Sequence, residues 1–188
     1  MNERVCDILI IGGGPAGLSA AVEAKRAGCK NVIVLERDTV PGGILRQCIH
    51  DGFGLHTFQQ TLTGGQFAQK YIDMAKELGV EILTDTMVEL REDKTVFAVS
   101  AKNGLTIFTP GAVILAMGCR ERTRNQVFIL GSRPAGVMTA GEVQHYINID
   151  GYLPGKKAVI LGSGDIGLIM ARRMKLEGIE VEGVYARR

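Results

Sequence analysis

A glycine turn of the form G-x-G-x-x-G occurs twice in the sequence, first at residues 12–17 and again at residues 162–167. Each copy follows a short apolar run and leads through a helix-like stretch to a second apolar run. That order is typical of a βαβ unit whose turn receives a dinucleotide. The duplication therefore predicts an α/β chain with two Rossmann-like nucleotide-binding modules, which start 150 residues apart.

The first copy has the more complete pattern. Residues 5–11 predict a buried strand, residues 15–28 a helix with alanines at helical spacing, and residues 31–36 a second strand. Within the turn, the first glycine permits the tight bend, the second lets the backbone approach a pyrophosphate, and the third lets helix and strand pack closely. Glu36 ends the second strand, where it can accept hydrogen bonds from ribose hydroxyls, and the helix N-terminus favours phosphate.

The stretch between the two copies carries further strands and helices. Residues 37–63 form an irregular glycine-rich segment, too long to be a neutral connector in a compact domain. Asn103-Gly104 predicts a hairpin with a primed turn, and residues 151–155 predict a domain boundary. The remaining predicted elements are a helix at 66–78, strands at 80–84, 87–91, 95–101, 105–109 and 112–117, a helix at 139–147, a strand at 157–161, a helix at 168–177 and a strand at 181–185.

Composition argues against several other classes of protein. The 25 glycines are clustered after apolar runs, unlike those of a flexible linker. A formal net charge of +2 is too small to favour nucleic acid or an anionic membrane. The sequence has no apolar run of membrane-spanning length and no signal-peptide pattern, and its four cysteines are far apart. We therefore expect a cytoplasmic protein with no metal site and no disulfide framework.

Several segments resemble the two-dinucleotide-domain flavoproteins, the superfamily of thioredoxin reductase and glutathione reductase. Residues 7–38 resemble its FAD-binding opening, and residues 42–46 resemble the glycine pair that runs beside the flavin. Residues 84–110 resemble its β-meander, and residues 113–118 resemble its returning strand, with Met117 where threonine is usual. The resemblance implies a three-layer FAD/NAD(P)-binding fold, with FAD in the first module and NAD(P)H in the second.

The sites implied by the fingerprints and the resemblance are two separate sets. For FAD they are Gly12, Gly14, Pro15, Ala16, Gly17, Glu36, Arg37, Gly43, Leu45, Arg46, Val88, Ala116 and Gly118. For NAD(P)H they are Gly162, Gly164, Asp165, Ile166, Gly167 and Arg187. In the second set, Ala186 lies 24 residues after Gly162, as Glu36 lies 24 residues after Gly12, and two arginines follow Ala186. The absence of a carboxylate and the presence of arginines favour a 2′-phosphate and hence NADPH.

No catalytic residue is assigned from the sequence, because flavin itself accepts and donates the hydride. The cysteines form neither C-x-x-C nor C-x-x-x-x-C, so a redox disulfide is disfavoured, and Cys48 is interpreted as a small buried or loop thiol. His50 and His56 could act as an acid or base near the flavin, or could be surface or hydrogen-bonded structural residues. Arg46 and Asp51 share that loop and the same alternatives.

A narrower resemblance concerns the connecting region. Residues 119–122 and 135–141 resemble a stretch of sarcosine oxidase α-subunits, hydrogen cyanide synthase subunits and clostridial-type FAD-dependent oxidoreductases. It leaves three alternatives: an NAD(P)-linked oxidoreductase with a small-molecule or protein acceptor, a non-catalytic electron-transfer subunit, and an inactive fragment. Both a homodimer and a second dehydrogenase subunit remain open as partners.

The domain organisation follows from the same segments. We expect the N-terminal part of an FAD domain at 1–120, a connecting segment at 121–154 and the start of an NAD(P) domain at 155–188. Two strands and one helix cannot bury their own apolar faces, so the second module is expected to be incomplete and the sequence to be part of a longer assembly.

Overall fold

A computed structural model describes residues 2–186 and divides into two compact units, with the boundary between Cys119 and Arg120. The first unit contains, in chain order, β1 (Asn2–Ile11), α1 (Pro15–Arg26), β2 (Val32–Leu35), a 3-10 helix (Gly43–Gln47), β3 (Asp51–Phe53), α2 (Leu55–Phe58), β4 (Leu62–Thr63), α3 (Gly64–Glu77), β5 (Glu81–Leu83), β6 (Met87–Leu90), β7 (Val96–Ser100) and β8 (Gly104–Leu115). The second contains α4 (Ala140–His145), a π-helix (Tyr146–Asp150), β9 (Lys157–Leu161), α5 (Asp165–Leu176) and β10 (Glu180–Tyr185). Among the described residues, no helix is long and apolar enough to cross a membrane.

The main sheet of the first unit has the strand order β5-β2-β1-β8-β7-β6. Its first four strands are parallel, and β6, β7 and β8 form an antiparallel meander. Side chains alternate across β1, so Ile10 packs with Leu18 of α1 and Ile72 of α3 while Leu9 packs with Phe108 on the other face. Helices, parallel strands and meander therefore form three layers, and the α/β fold class is confirmed.

One long strand replaces two that the sequence predicted at 105–109 and 112–117. Pro110 and Gly111 do not interrupt β8, because the pairing of β8 with β1 continues across them. Cys6 lies opposite Pro110, and Ile8 lies opposite Ala112. A Cβ added at Gly111 would lie 2.9 Å from the backbone oxygen of Asp7. Glycine thus lets the two strands stay in contact where the sequence indicated a break.

The β7–β8 hairpin is confirmed, but the prediction of a primed turn was wrong. Three residues separate Ser100 from Gly104, and within this turn only Gly104 has a positive φ, +64°. The Asn103 backbone N–H donates to Oγ of Ser100 over 3.0 Å. A side-chain hydrogen bond therefore stabilises a longer loop in which only the glycine needs the left-handed conformation.

Helix α3 begins two residues before its predicted start because a capping box lies just ahead of it. The Gln66 N–H donates to Oγ1 of Thr63 over 3.3 Å, and the Thr63 N–H donates to Oε1 of Gln66 over 2.9 Å. These two bonds satisfy donors that a helix N-terminus otherwise leaves unpaired. The cap also joins α3 to β4, within the segment at 37–63 that the sequence predicted to be irregular.

We expect Thr63→Ala to lower the free energy of unfolding by about 1 kcal/mol, because the cap loses its side-chain acceptor. Thr63→Ser retains that hydroxyl and is the matched control, expected to remain close to the parent protein. Urea denaturation followed by circular dichroism measures both variants. Equal losses for alanine and serine would show that the methyl group, rather than the cap, stabilises this position.

The second unit is smaller, and its two strands β9 and β10 pair in parallel. Its core consists of Ile147, Met170, Met174 and Ile179. On β9, Val159 and Leu161 are 60% and 61% exposed. The positions 150 residues earlier, Leu9 and Ile11, are buried beneath the meander, which has no counterpart among the described residues of this unit.

Two candidate dinucleotide sites

The first fingerprint turn lies at the carboxyl ends of β1 and β2. Gly12 has φ +106°, and its N–H donates to the Leu35 carbonyl over 2.8 Å. A Cβ added at Gly17 would collide with the carbonyl oxygen of Gly12. A Cβ at Gly14 would meet only the Cα of Gly43, at 3.9 Å, so the middle of the turn is open. Gly12 and Gly17 therefore meet the steric requirements that their spacing predicts, and the turn at Gly14 leaves room for a ligand.

The returning strand β8 ends against the same turn. The Ala116 N–H donates to the Ile11 carbonyl over 2.8 Å, and a Cβ on Gly12 would collide with the carbonyl oxygen of Ala116. Met117 follows with its side chain 66% exposed, and Gly118 has φ +72°. Ala116 thus lies against the turn, and Gly118 follows it two residues later.

Helix α1 begins at this turn without a side-chain cap. Gly14 is its N-cap, Pro15 is its first residue and no acidic residue lies in the first turn. Ala16 is exposed there. Helices α3 and α4, in contrast, each begin with a threonine whose hydroxyl accepts a backbone hydrogen bond. Uncapped N–H groups and the positive end of the helix dipole suit the N-terminus of α1 to an anion such as a pyrophosphate.

Glu36 is the buried charged group of the site, with 6% of its surface exposed. Its Oε2 accepts from the Gly13 N–H over 2.7 Å, and its Oε1 accepts from the Asp38 N–H over 2.9 Å. A carboxylate has about four acceptor positions, so about two remain for ribose hydroxyls. The same side chain therefore holds the glycine turn and can bind a nucleotide.

The hydrogen bond to Gly13 was missed from the sequence, although a signal for it is present. The turn contains three consecutive glycines where the fingerprint requires only the first and third of them. A Cβ at Gly13 would lie 3.0 Å from Oε2 of Glu36. The additional glycine therefore marks the close approach of the carboxylate to the turn.

The loop after β2 returns to the fingerprint. The Gly42 N–H donates to the Gly13 carbonyl over 2.8 Å, and a Cβ on Gly43 would lie 3.0 Å from Cα of Gly14. Leu45 is buried, while the partly exposed Arg46 guanidinium has no hydrogen-bond or ion-pair partner within residues 2–186. Of the predicted residues, Gly43 thus lies beside the turn, and Leu45 and Arg46 follow it on the 3-10 helix.

Val88 and Arg37 are the two predicted FAD residues closest to Glu36 along the connected backbone. The Thr86 N–H donates to the Glu36 carbonyl over 2.9 Å, which carries β6 and Val88 past the end of β2. The Val88 side chain packs against the core beneath the meander, so only its backbone is available to a ligand at the sheet edge. Arg37 is exposed, with Nε 4.0 Å from Oδ1 of Asp38.

The second fingerprint repeats the first in its internal geometry. Gly162 has φ +124°, its N–H donates to the Tyr185 carbonyl over 2.7 Å, and a Cβ on Gly167 would collide with the Gly162 carbonyl oxygen. Tyr185 lies 150 residues after Leu35, which plays that part in the first copy. Nothing lies within 4 Å of a Cβ added at Gly164, so this turn is open as well.

Two features distinguish the second site electrostatically. Asp165 occupies the first position of α5, where the first copy has proline, and its carboxylate favours the helix N-terminus that a phosphate would also use. Ile166 follows, 46% exposed. Ala186 stands at the position that corresponds to Glu36 of the first copy, so the second copy has no carboxylate there, and the predicted ligand Arg187 lies outside the described residues.

Neither buried cysteine has the environment of a reactive thiol. Burial raises the pKa of Cys48, whose Sγ lies 3.4 Å from the Ile44 carbonyl oxygen. Burial likewise raises the pKa of Cys6. All four cysteines are free thiols. A raised pKa lowers the thiolate fraction, which agrees with the interpretation of Cys48 as a packing residue.

Glu121, in the segment that resembles the oxidase subunits, has a structural role that the sequence did not show. Its carboxylate accepts from Oγ1 of Thr139 over 2.6 Å and from the Gly141 N–H over 2.9 Å. These contacts attach the segment to the start of α4. The Glu121 carboxylate therefore has its hydrogen-bond partners within the second unit.

Residues 6–188 match the family described as pyridine nucleotide-disulphide oxidoreductase. The chain belongs to this family. The match includes both fingerprints and confirms the superfamily recognised from the sequence.

Curated relatives include several components of oxidases. The chain is 30% identical to the alpha chain of sarcosine oxidase from Rhizobium meliloti, covering 95% of this chain and 18% of that protein. It is 26% identical to hydrogen cyanide synthase subunit HcnB of Pseudomonas protegens, covering 94% and 37%. It is 32% identical to thioredoxin reductase of Ureaplasma parvum, covering 88% and 50%. The chain therefore spans half or less of the length of these relatives.

Solved structures share the fold. L-Proline dehydrogenase from P. horikoshii matches with a TM-score of 0.72 at 21% identity, over 97% of this chain and 36% of that one. Bacillithiol disulfide reductase Bdr from Bacillus cereus matches with a TM-score of 0.67 at 17% identity, over 97% and 59%. These matches confirm the Rossmann-like architecture.

Proposed function

We propose that the chain provides the nucleotide-binding part of an FAD-dependent, NAD(P)-linked oxidoreductase. FAD occupies the first fingerprint and NAD(P)H the second, and a hydride passes between them and on to an acceptor. The observation that carries this proposal is the repeated turn, which has the same backbone hydrogen bond, helix start and glycine contact in both copies. Membership of a family of oxidoreductases supports it.

The residues of the first module fit the parts of FAD. The N-terminus of α1 and the open turn at Gly14 would hold the pyrophosphate, and Glu36 would hold the ribose of the adenosine arm. Arg46, whose guanidinium has no partner among the described residues, would add positive charge beside the phosphates. Bound FAD supplies reversible hydride acceptance, while these residues bind and orient it.

For the second module we propose NADPH rather than NADH. A carboxylate at the end of the second strand binds a ribose diol and repels a 2′-phosphate, and Ala186 removes it. Arg187 and Arg188 follow directly in the sequence and could meet the added phosphate charge.

Anaerobic titration of the FAD-loaded protein tests the hydride transfer. We expect NADPH to bleach the oxidised-flavin absorbance at lower concentration than NADH, by about tenfold, which corresponds to about 1.4 kcal/mol of preference. Ala186→Glu restores the ribose carboxylate and is expected to reverse the order. Flavin that dithionite reduces but neither nucleotide bleaches would contradict the proposed transfer.

A second candidate function is a non-catalytic, FAD-holding electron-transfer subunit. It is favoured by the relatives named as subunits, which include an opine oxidase subunit of Agrobacterium tumefaciens, 29% identical over 92% of this chain. In that case the protein would bind flavin yet turn over slowly until a second dehydrogenase subunit or a protein acceptor is added. Steady-state rates with and without a candidate partner subunit separate the two functions.

A further inference from the structure

His50 lies in the loop that contacts the first fingerprint turn, and its ring has one defined hydrogen bond. Nδ1 lies 2.9 Å from the backbone oxygen of Asp51. Because a carbonyl oxygen only accepts, Nδ1 carries the hydrogen of that bond. In the neutral ring Nε2 is then the basic nitrogen, and it has no partner within residues 2–186.

The orientation of the ring is supported by an aromatic row. The centroid of His50 lies 5.3 Å from that of Phe53, which lies 6.3 Å from Phe67 of α3. Phe67 in turn contacts Phe58 and Tyr71, at 5.5 and 5.3 Å. Contacts of this kind restrict the orientation of the ring.

The loop also connects this ring to the cofactor site. Gly42 and Gly43 contact Gly13 and Gly14, and the 3-10 helix that starts at Gly43 ends at Gln47, three residues before His50. In FAD the pyrophosphate lies between the adenosine and the flavin arms. Since Glu36 is placed to hold the adenosine arm, the flavin arm extends from the other end of the pyrophosphate, which the Gly42-Gly43 loop borders.

We propose that His50 is the proton-transferring residue of the flavin site, acting through Nε2. The inference rests on the proposed function. During reduction of an acceptor, the acceptor takes a hydride with its electron pair from reduced flavin and a proton from Nε2 of the imidazolium. The N–H bond breaks, a bond from hydrogen to the acceptor heteroatom forms, and solvent returns a proton to the ring. In the opposite direction Nε2 takes the proton while oxidised flavin takes the hydride.

The charged and titratable groups on the surrounding elements include Arg46 on the 3-10 helix, Cys48 at its end, Asp51 beside the ring, His56 on α2, and Lys70, Tyr71, Asp73, Lys76 and Glu77 on α3. Lys70 lies over the Phe58 ring, with Nζ 5.2 Å from its centroid. None of these side chains forms a hydrogen bond or ion pair with His50 in the described part of the chain. His50 can therefore exchange its proton with a ligand without breaking a side-chain pair.

Two measurements on the FAD-loaded protein test this role without a known substrate. Diethyl pyrocarbonate modifies free imidazole nitrogens, and peptide mass spectrometry reports its rate at each histidine. We expect bound FAD to slow modification of His50 at least fivefold and to leave His56, an exposed histidine of α2, unchanged. Proton uptake on dithionite reduction at pH 7 should be lower in His50→Gln, by up to one proton per flavin, and unaltered in His56→Gln.

Equal modification of His50 with and without bound FAD, together with unchanged proton uptake in His50→Gln, would overturn the role of His50 while leaving the proposed function intact. A protein that retains no flavin would overturn both. His50→Asn places an amide nitrogen near the position of Nδ1 and keeps the contact to the Asp51 carbonyl possible. Loss of proton uptake in this variant as well as in His50→Gln would support a role for Nε2 itself.

Discussion

Gly17→Ala is expected to abolish stable FAD binding. The added Cβ would collide with the Gly12 carbonyl oxygen and would also lie 3.2 Å from Cγ2 of Ile10. Backbone cannot rotate away as a flexible side chain can, so α1 must move off β1 and open the phosphate turn. Such overpacking costs about 3 kcal/mol, or about a hundredfold in affinity. Flavin released by heat from the purified variant, measured against protein concentration, gives the occupancy.

Gly167→Ala is the matched control, because its Cβ would collide with the Gly162 carbonyl oxygen in the same way. This variant should retain FAD and lose bleaching by NADPH. Circular dichroism confirms that each variant remains folded. Loss of flavin from both variants, or from Gly167→Ala alone, would contradict the assignment of FAD to the first module.

Glu36→Ala is expected to cause the second large loss. It removes the acceptor of the Gly13 and Asp38 N–H groups, and an unsatisfied buried donor costs about 1–3 kcal/mol. It also removes the ribose contact, so we expect FAD affinity to fall by about a hundredfold or more. Glu36→Gln keeps one acceptor oxygen and should lose less. Isothermal titration of apoprotein with FAD measures both variants.

The effect on the turn can be separated from the effect on the ligand. Hydrogen exchange at the Gly13 amide, measured without FAD, should be faster in Glu36→Ala than in the parent protein. Glu23 is an exposed carboxylate on α1 whose ion pair in the described part of the chain is with Arg26. Glu23→Ala is therefore the surface control and should leave exchange and affinity unchanged. Unchanged exchange at Gly13 in Glu36→Ala would show that the carboxylate does not hold the turn.

Local sequence patterns predicted the geometry of the fingerprint turns well, because the glycines of these turns are required by steric contacts between residues that are close in the sequence. The strand at 157–161 was found at the predicted bounds, and the three-layer order followed from the repeat and the resemblance. Glu36 was placed correctly at the end of β2. The spacing of Gly12, Gly14, Gly17 and Glu36 thus predicted the local geometry of the first turn.

Long-range contacts explain what the sequence did not predict. The continuity of β8 through Pro110 depends on its register with β1, about a hundred residues earlier in the chain. The bond from Gly13 to Glu36 and the fold of residues 37–63 against α3 likewise depend on tertiary packing. The turn at Asn103 was misjudged because the Asn-Gly pair alone does not show the hydrogen bond from the Asn103 N–H to the Ser100 hydroxyl, which spans a longer loop.

The stoichiometry of bound FAD most directly tests the proposal that the first fingerprint binds FAD and the second binds NAD(P)H. The purified protein, incubated with excess FAD and freed of unbound cofactor, should hold one FAD per chain. Gly167→Ala should also hold one, and Gly17→Ala none. An occupancy of zero or two FAD molecules in the parent protein would contradict one flavin module and one nicotinamide module.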